Sequence, residues 1–179
     1  MKRVLIAGIG NVLLGDDGIG PYVVRWLEST HSFEEGVTLE DLGTPALDFI
    51  DHICGLDALI VIDSVDNGFV PGTITLYRKE DISRLRPTVR MDTHSPAITE
   101  SLIAADVFFG ISPKEVLLVG ITAQSYAAGC DMSDAMKGAV GAALRAVLSE
   151  LDRLGVGHKP KLDADPGIWW TTSPQLQSV

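Results

Sequence analysis

Two short stretches of this chain place carboxylates where chemistry would need them. Residues 4–21, VLIAGIGNVLLGDDGIGP, pass from an apolar run through a glycine-rich turn into Asp16 and Asp17, and residues 58–66, ALIVIDSVD, end a second apolar run with Asp63 and Asp66. A third candidate is His94, in the sequence DTHSP just ahead of a helix-start signal. Open α/β sheets bind ligands beyond the carboxyl ends of their strands, where the loops of neighbouring strands converge. Two carboxylates and an imidazole gathered there form a hard-to-borderline ligand set that suits a divalent transition metal with open coordination positions. Each residue also has a plain structural use. An aspartate ahead of a helix complements its positive end, an aspartate after a strand accepts from loop amides, and a single histidine packs or is solvated as readily as it ligates. His52 and His158 read in that structural way.

Several chemistries are excluded by what stands in these positions. A phosphate loop would not put two negative charges where the anion binds. A dinucleotide fingerprint requires a third glycine where GIGNVL has Leu13. There is no HExxH, no GxSxG and no GxxxxGK[ST]. Fourteen Lys and Arg against twenty-four Asp and Glu give a formal net charge of -10 with no basic stripe, which argues against nucleic acid and anionic membranes as partners. Cys54 and Cys130 lie far apart and in no CxxC pattern, so neither a zinc knuckle nor a disulfide framework is expected, and a reducing cytoplasm fits. Lys2 and Arg3 precede an apolar stretch that stops at Gly8, too short for a signal sequence, and no window has the length of a membrane span.

The elements that must position these residues alternate between strand and helix signals, the pattern of a mostly parallel sheet covered on both faces. Strands are expected at residues 3–8, 37–42, 58–62 and 115–121, with 58–62 central because it is a continuous apolar run. TITLYR at 73–78 alternates in the manner of an antiparallel edge strand after the turns Asn67-Gly68 and Pro71-Gly72. Helices are expected from about Gly20 to Glu28 with Pro21 in the first turn, over 47–53, from Ser95-Pro96 to about Phe109, and over 134–154 behind the cap Ser133. Residues 81–94 read as an irregular loop carrying Pro87. One domain is expected over 1–154, followed by a loose tail at 155–179 that holds Trp169-Trp170.

Taken in order, GIGNVLLGDDGIGP, DLGTPALDFI, DALIVIDSVDNGFVPGTI, DTHSPAI and VLLVGI resemble the hydrogenase maturation proteases, over roughly residues 3–150. That resemblance implies a three-layer αβα sandwich around a five-stranded, twisted, mostly parallel sheet. It implies an endopeptidase, classed with the aspartic type, that trims the C-terminus of the [NiFe] hydrogenase large-subunit precursor. It further implies that Asp17, Asp63 and His94 are both catalytic and metal-contacting, the metal being nickel carried by the substrate, so that no tightly bound cofactor is expected and another divalent ion can occupy the site. Some members carry Glu at the position of Asp17; the side chain here is shorter by one bond, about 1.5 Å, which keeps Asp16 open as a substitute ligand. Some members also have Gln-Pro after the last core strand, where this chain has Thr122-Ala123. Two other readings compete: a nickel or precursor-binding assembly chaperone that does not cut, and a peptidyl-tRNA hydrolase-like enzyme, which the acidic balance opposes.

Overall fold

The computed structural model describes residues 1–46, 48–82, 90–91 and 95–162, the side chains of 90–91, 95–97 and 109 excepted. Its centre is β4 (Ala58–Asp66), buried along eight of its nine residues. β1 (Val4–Ile9) and β7 (Glu115–Thr122) pair parallel to it on either side, β3 (Val37–Gly43) extends the sheet beyond β1, and β5 (Ile74–Arg78) closes the other edge antiparallel to β7. The expected five strands, the central position of 58–62 and the antiparallel edge are all present. A short β6 (Arg90–Met91) pairs antiparallel with the end of β4, Val65 opposite Met91.

Strand alternation divides the core between two helical layers. Val4, Ile6, Ile60, Ile62, Leu117 and Val119 face α1 (Ile19–Thr30) and α5 (Asp134–Leu154), against Val23, Leu27, Val140, Val147 and Leu151. Leu5, Ala7, Leu59, Val61 and Leu118 face the opposite layer, built from α2 (Phe49–Ile53), α3 (Lys79–Ile82) and α4 (Ser95–Ala104), against Phe49, Ile53, Ile82, Ile98 and Leu102. Each fully buried aliphatic side chain of this kind contributes about 1.5–3 kcal/mol relative to exposure. The helix expected to run to Phe109 changes to a single π-helical turn over Ala105–Phe109 and stops at Gly110, whose φ is 63°. No described helix is long and apolar enough to cross a membrane.

Residues 155–160, expected to open a loose tail, return to the body instead. Gly155 ends α5 at φ 67°, Val156 turns back so that its N–H donates to the Leu151 carbonyl at 2.9 Å, and its side chain is buried. β8 (His158–Pro160) then pairs antiparallel with β2 (His31–Phe33). The αL glycine followed by an apolar contact is a helix stop that returns the chain to the body, which the loss of periodicity after 155 conceals. Trp169-Trp170, Leu47, Pro87 and His94 lie outside the described residues.

Candidate functional site

The polar residues predicted to do chemistry emerge from a turn that only glycine can close. Gly10 follows β1 at φ 136°, and a Cβ there would stand 1.8 Å from the Asp17 carbonyl oxygen. At Gly20 a Cβ would lie 2.2 Å from the Ile9 carbonyl and 2.4 Å from that of Ile62. Both positions are closed to any side chain, so the start of α1 sits directly on the ends of β1 and β4. Between them, Gly15–Gly18 makes one turn of 3-10 helix that carries both aspartates, each essentially buried at the positive end of the helical segment.

Although adjacent, the two side chains go to different places. Asp17 turns toward β4: its Oδ1 accepts from the Ser64 hydroxyl at 2.9 Å and its Oδ2 from the Asn11 N–H at 2.7 Å. Ser64 is the residue after Asp63, so Asp17 and Asp63 meet the same end of β4. By alternation Ser64 belongs with Ile60 and Ile62 on the α1 side, and Asp63, 1% exposed, with Leu59 and Val61 on the α4 side. Asp66 ends the strand exposed.

Asp16 turns away from them, to the segment between β7 and α5. Its Oδ2 accepts from the N–H groups of Gln124 at 2.7 Å and Ser125 at 3.1 Å and from the Ser133 hydroxyl at 3.0 Å; its Oδ1 accepts from the Ser133 N–H at 2.6 Å. The Asp16 N–H donates in return to the Ser125 carbonyl at 3.2 Å. One carboxylate thus ties the glycine turn to both ends of the 124–133 loop. Ser133 does double duty, since its hydroxyl oxygen also accepts from the Met136 N–H as the N-cap of α5. Nearby, Asn67 accepts from the Thr122 hydroxyl at 2.9 Å and donates to the Tyr77 hydroxyl at 3.1 Å, which fixes the loop after β4 against β7 and β5.

Asn11, Ser64 and the Asp16-bound loop are the functional neighbourhood that sequence reasoning missed. Their only signals were the serine inside VIDSVD and the cap at Ser133, and neither names its acceptor. His94 lies outside the described residues; on its flanks, Met91 pairs with Val65 and Ser95 opens α4. Among the described residues no three of His, Cys, Asp and Glu are grouped closely enough to hold a metal ion. Residues 11–15 and Gly18, which flank Asp17 in the chain, line a cleft of about 520 Å³ together with residues 128–132 and Lys137.

The chain and its fold have relatives among known proteins. The hydrogenase maturation protease family model matches residues 21–150. The chain is 34% identical over 155 residues to the hydrogenase expression/formation protein HoxM of Azotobacter vinelandii, covering 86% of this chain and 74% of that one. It is 30% identical over 160 residues to the hydrogenase 2 maturation protease of Escherichia coli, covering 89% and 96%. Among solved structures, the E. coli hydrogenase maturating endopeptidase HybD superposes with a TM-score of 0.84 at 30% identity, over 90% of this chain and 99% of that one. With the family model, these relatives and the shared fold in agreement, the chain belongs to the hydrogenase maturation protease family, whose members are endopeptidases.

Proposed function

We propose that this chain cleaves the C-terminal extension from a nickel-loaded [NiFe] hydrogenase large-subunit precursor, using Asp17, Asp63 and His94 to engage the nickel that the substrate carries. The observation that supports it most is the arrival of two buried carboxylates, Asp17 through Ser64 and Asp63 directly, at the carboxyl end of the central strand of a maturation-protease fold. A structural relative from Thermococcus kodakarensis, 25% identical with a TM-score of 0.67, is itself described as a [NiFe] hydrogenase maturation protease.

In this reading the precursor lays its extension across the carboxyl edge of the sheet. Carboxylate and imidazole groups have affinity for nickel but lack the thiolates that would draw it out of a cysteine-rich donor, so the site recognises the ion without extracting it. Hydrolysis then needs an activated water, generated at the substrate's nickel acting as Lewis acid or by one aspartate acting as general base. The aspartic-type label describes the residues and not a shared-proton dyad, for which no paired DTG-like motif exists. Asp16 stands apart from this chemistry because its oxygens are committed to the 124–133 loop. A reducing cytoplasm is in keeping with Cys54 and Cys130 being free.

The test is incubation of the purified protein with nickel-loaded and nickel-free precursor, followed by the mass of the large subunit. Shortening that requires nickel is the expected result. Stable binding with no change of mass would overturn the proteolytic reading in favour of an assembly chaperone.

A further inference from the structure

The cleft beside Asp17 has the form of a subsite. Leu13 and Leu14 line one side and Ala128 and Met132 the other, around the backbone of Gly15 and Gly18. At about 520 Å³ it falls within the range of preformed ligand pockets. Leu13 is 71% exposed although it sits in a turn otherwise pinned by hydrogen bonds, so its apolar surface is presented to solvent in a fixed place. The far wall is fixed too. Asp16 holds the 124–133 loop through its four bonds, and the Gly129 N–H donates to the Leu13 carbonyl at 3.1 Å across the cleft. A preordered wall spares an incoming chain the entropy of ordering it.

We infer that this cleft seats an apolar side chain of the precursor's extension beside the bond being cut, an inference that rests on the proteolytic reading of Asp17 and Asp63. Two features select that occupant. The cleft is continuous with the site: Asn11 lines it and donates to Asp17, and Gly18, which follows Asp17, forms its floor. Asp17 itself is buried and does not line the cleft, so the link between site and cleft runs through Asn11 and Gly18, and the space offered to a neighbouring side chain is the one lined by Leu14 and Met132. The lining carries one charge of each sign, Asp131 and Lys137, the latter also 3.8 Å from Asp134, and the rest of it is mostly apolar side chains and glycine backbone, so the cleft suits a neutral, apolar group.

The experiment replaces the precursor residues flanking the cut, one at a time, with Asp, and follows the mass of the nickel-loaded precursor with wild-type enzyme and with Ala128→Lys. Ala128 is exposed and makes none of the bonds of Asp16 or Asp17, and its replacement puts an ammonium at the cleft. One flanking position should lose on the order of 100-fold in kcat/KM when made Asp, mainly through KM, because a charge would be seated among apolar walls. Ala128→Lys should recover about tenfold on that substrate and lower kcat/KM on the unaltered one. Thermal melting checks folding, and Leu13→Lys on the opposite wall replaces Ala128→Lys if the latter is unstable. The inference is overturned if no flanking position is sensitive, or if a folded cleft variant treats every precursor as wild type does. It is also overturned if the chain is a dimer that Ala128→Trp dissociates, which would give the cleft to a second copy. Failure of the wild-type enzyme to shorten any nickel-loaded precursor would instead strike the proteolytic reading itself.

Discussion

Asp16 and Glu150 are both acidic side chains withdrawn from water, 1% and 4% exposed, and the fold stabilises them by opposite means. Glu150, on α5, is met by charge: Arg78 from β5 donates to it at 2.6 Å, and Arg153 at 2.8 and 3.0 Å. Burial alone would push the Glu150 carboxyl up; the side-chain bonds from Arg153 and Arg78, with their charges, outweigh it and hold the group below the usual range. Asp16 is met by dipoles, three backbone N–H groups and one hydroxyl. The distinction is electrostatic. Two guanidiniums, one of them shared with Glu115, offset the charge of Glu150 in a half-exposed cluster, whereas neutral donors fix a carboxylate without bringing a counter-charge. At the carboxyl edge of the sheet Asp17 too accepts from a hydroxyl and an amide, so the printed donors to both aspartates bring no counter-charge, which is the arrangement the proposed nickel-bearing substrate calls for.

The largest effect that would break this contrast is on cleavage. Asp17→Asn and Asp63→Asn, which keep size and remove charge, should each lower the rate of precursor shortening by on the order of 1,000-fold or more with melting little changed. His94→Ala should act alike. A variant of Asp17 with normal cleavage would remove it from the site.

Asp16→Asn should instead act first on the fold. Its new amide would face N–H and O–H donors at a position that offers no acceptors, and the orphaned groups should cost about 2–4 kcal/mol in chemical denaturation. Per folded molecule, its cleavage should fall less than that of Asp17→Asn. If Asp16→Asn proved stable and inactive, the two adjacent aspartates would have to exchange roles.

That the pair follows β1 at the edge of the sheet was legible in the sequence; which partner each side chain turns to was not. The reason is geometric: in the 3-10 turn of Gly15–Gly18 consecutive side chains point about 120° apart, so one residue of separation sends Asp16 to the 124–133 loop and Asp17 to Ser64. The long elements were readable because burial writes itself as pattern, a continuous apolar run for β4 and helical spacing behind a serine cap for α5. β2 and β8 escaped because three residues carry no period, and their partners lie more than a hundred positions apart. Asn11 and Ser64 escaped for a related reason, since a donor is recognisable only once its acceptor has been brought to it.

The Glu150 cluster gives a pH test. A carboxyl held below its unfolded value contributes stability that is present above the ordinary glutamate range and is lost as pH falls through the depressed value. Acid unfolding of Glu150→Gln should therefore show a shallower loss of stability below about pH 4.5 than wild type, with a cost near neutrality of about 1–3 kcal/mol because both arginines lose a charged partner. Ser133→Ala should cost somewhat less, about 1–2 kcal/mol, for the cap of α5 and one of the Asp16 bonds.

Salt provides the smallest and most selective measurement. Raising ionic strength to about 1 M shortens the screening length to about 3 Å. The Glu150–Arg78–Arg153 cluster reaches solvent through its arginines, 39% and 44% exposed, so part of its charge interaction is screened. The cost of Glu150→Gln should then shrink by a few tenths of a kcal/mol. The cost of Asp16→Asn should not move, because amide and hydroxyl donors present no net charge for ions to screen. Equal salt dependence in both variants would mean that the carboxyl edge is neutralised by a cation of the protein's own, and the contrast drawn between the two regions would fail.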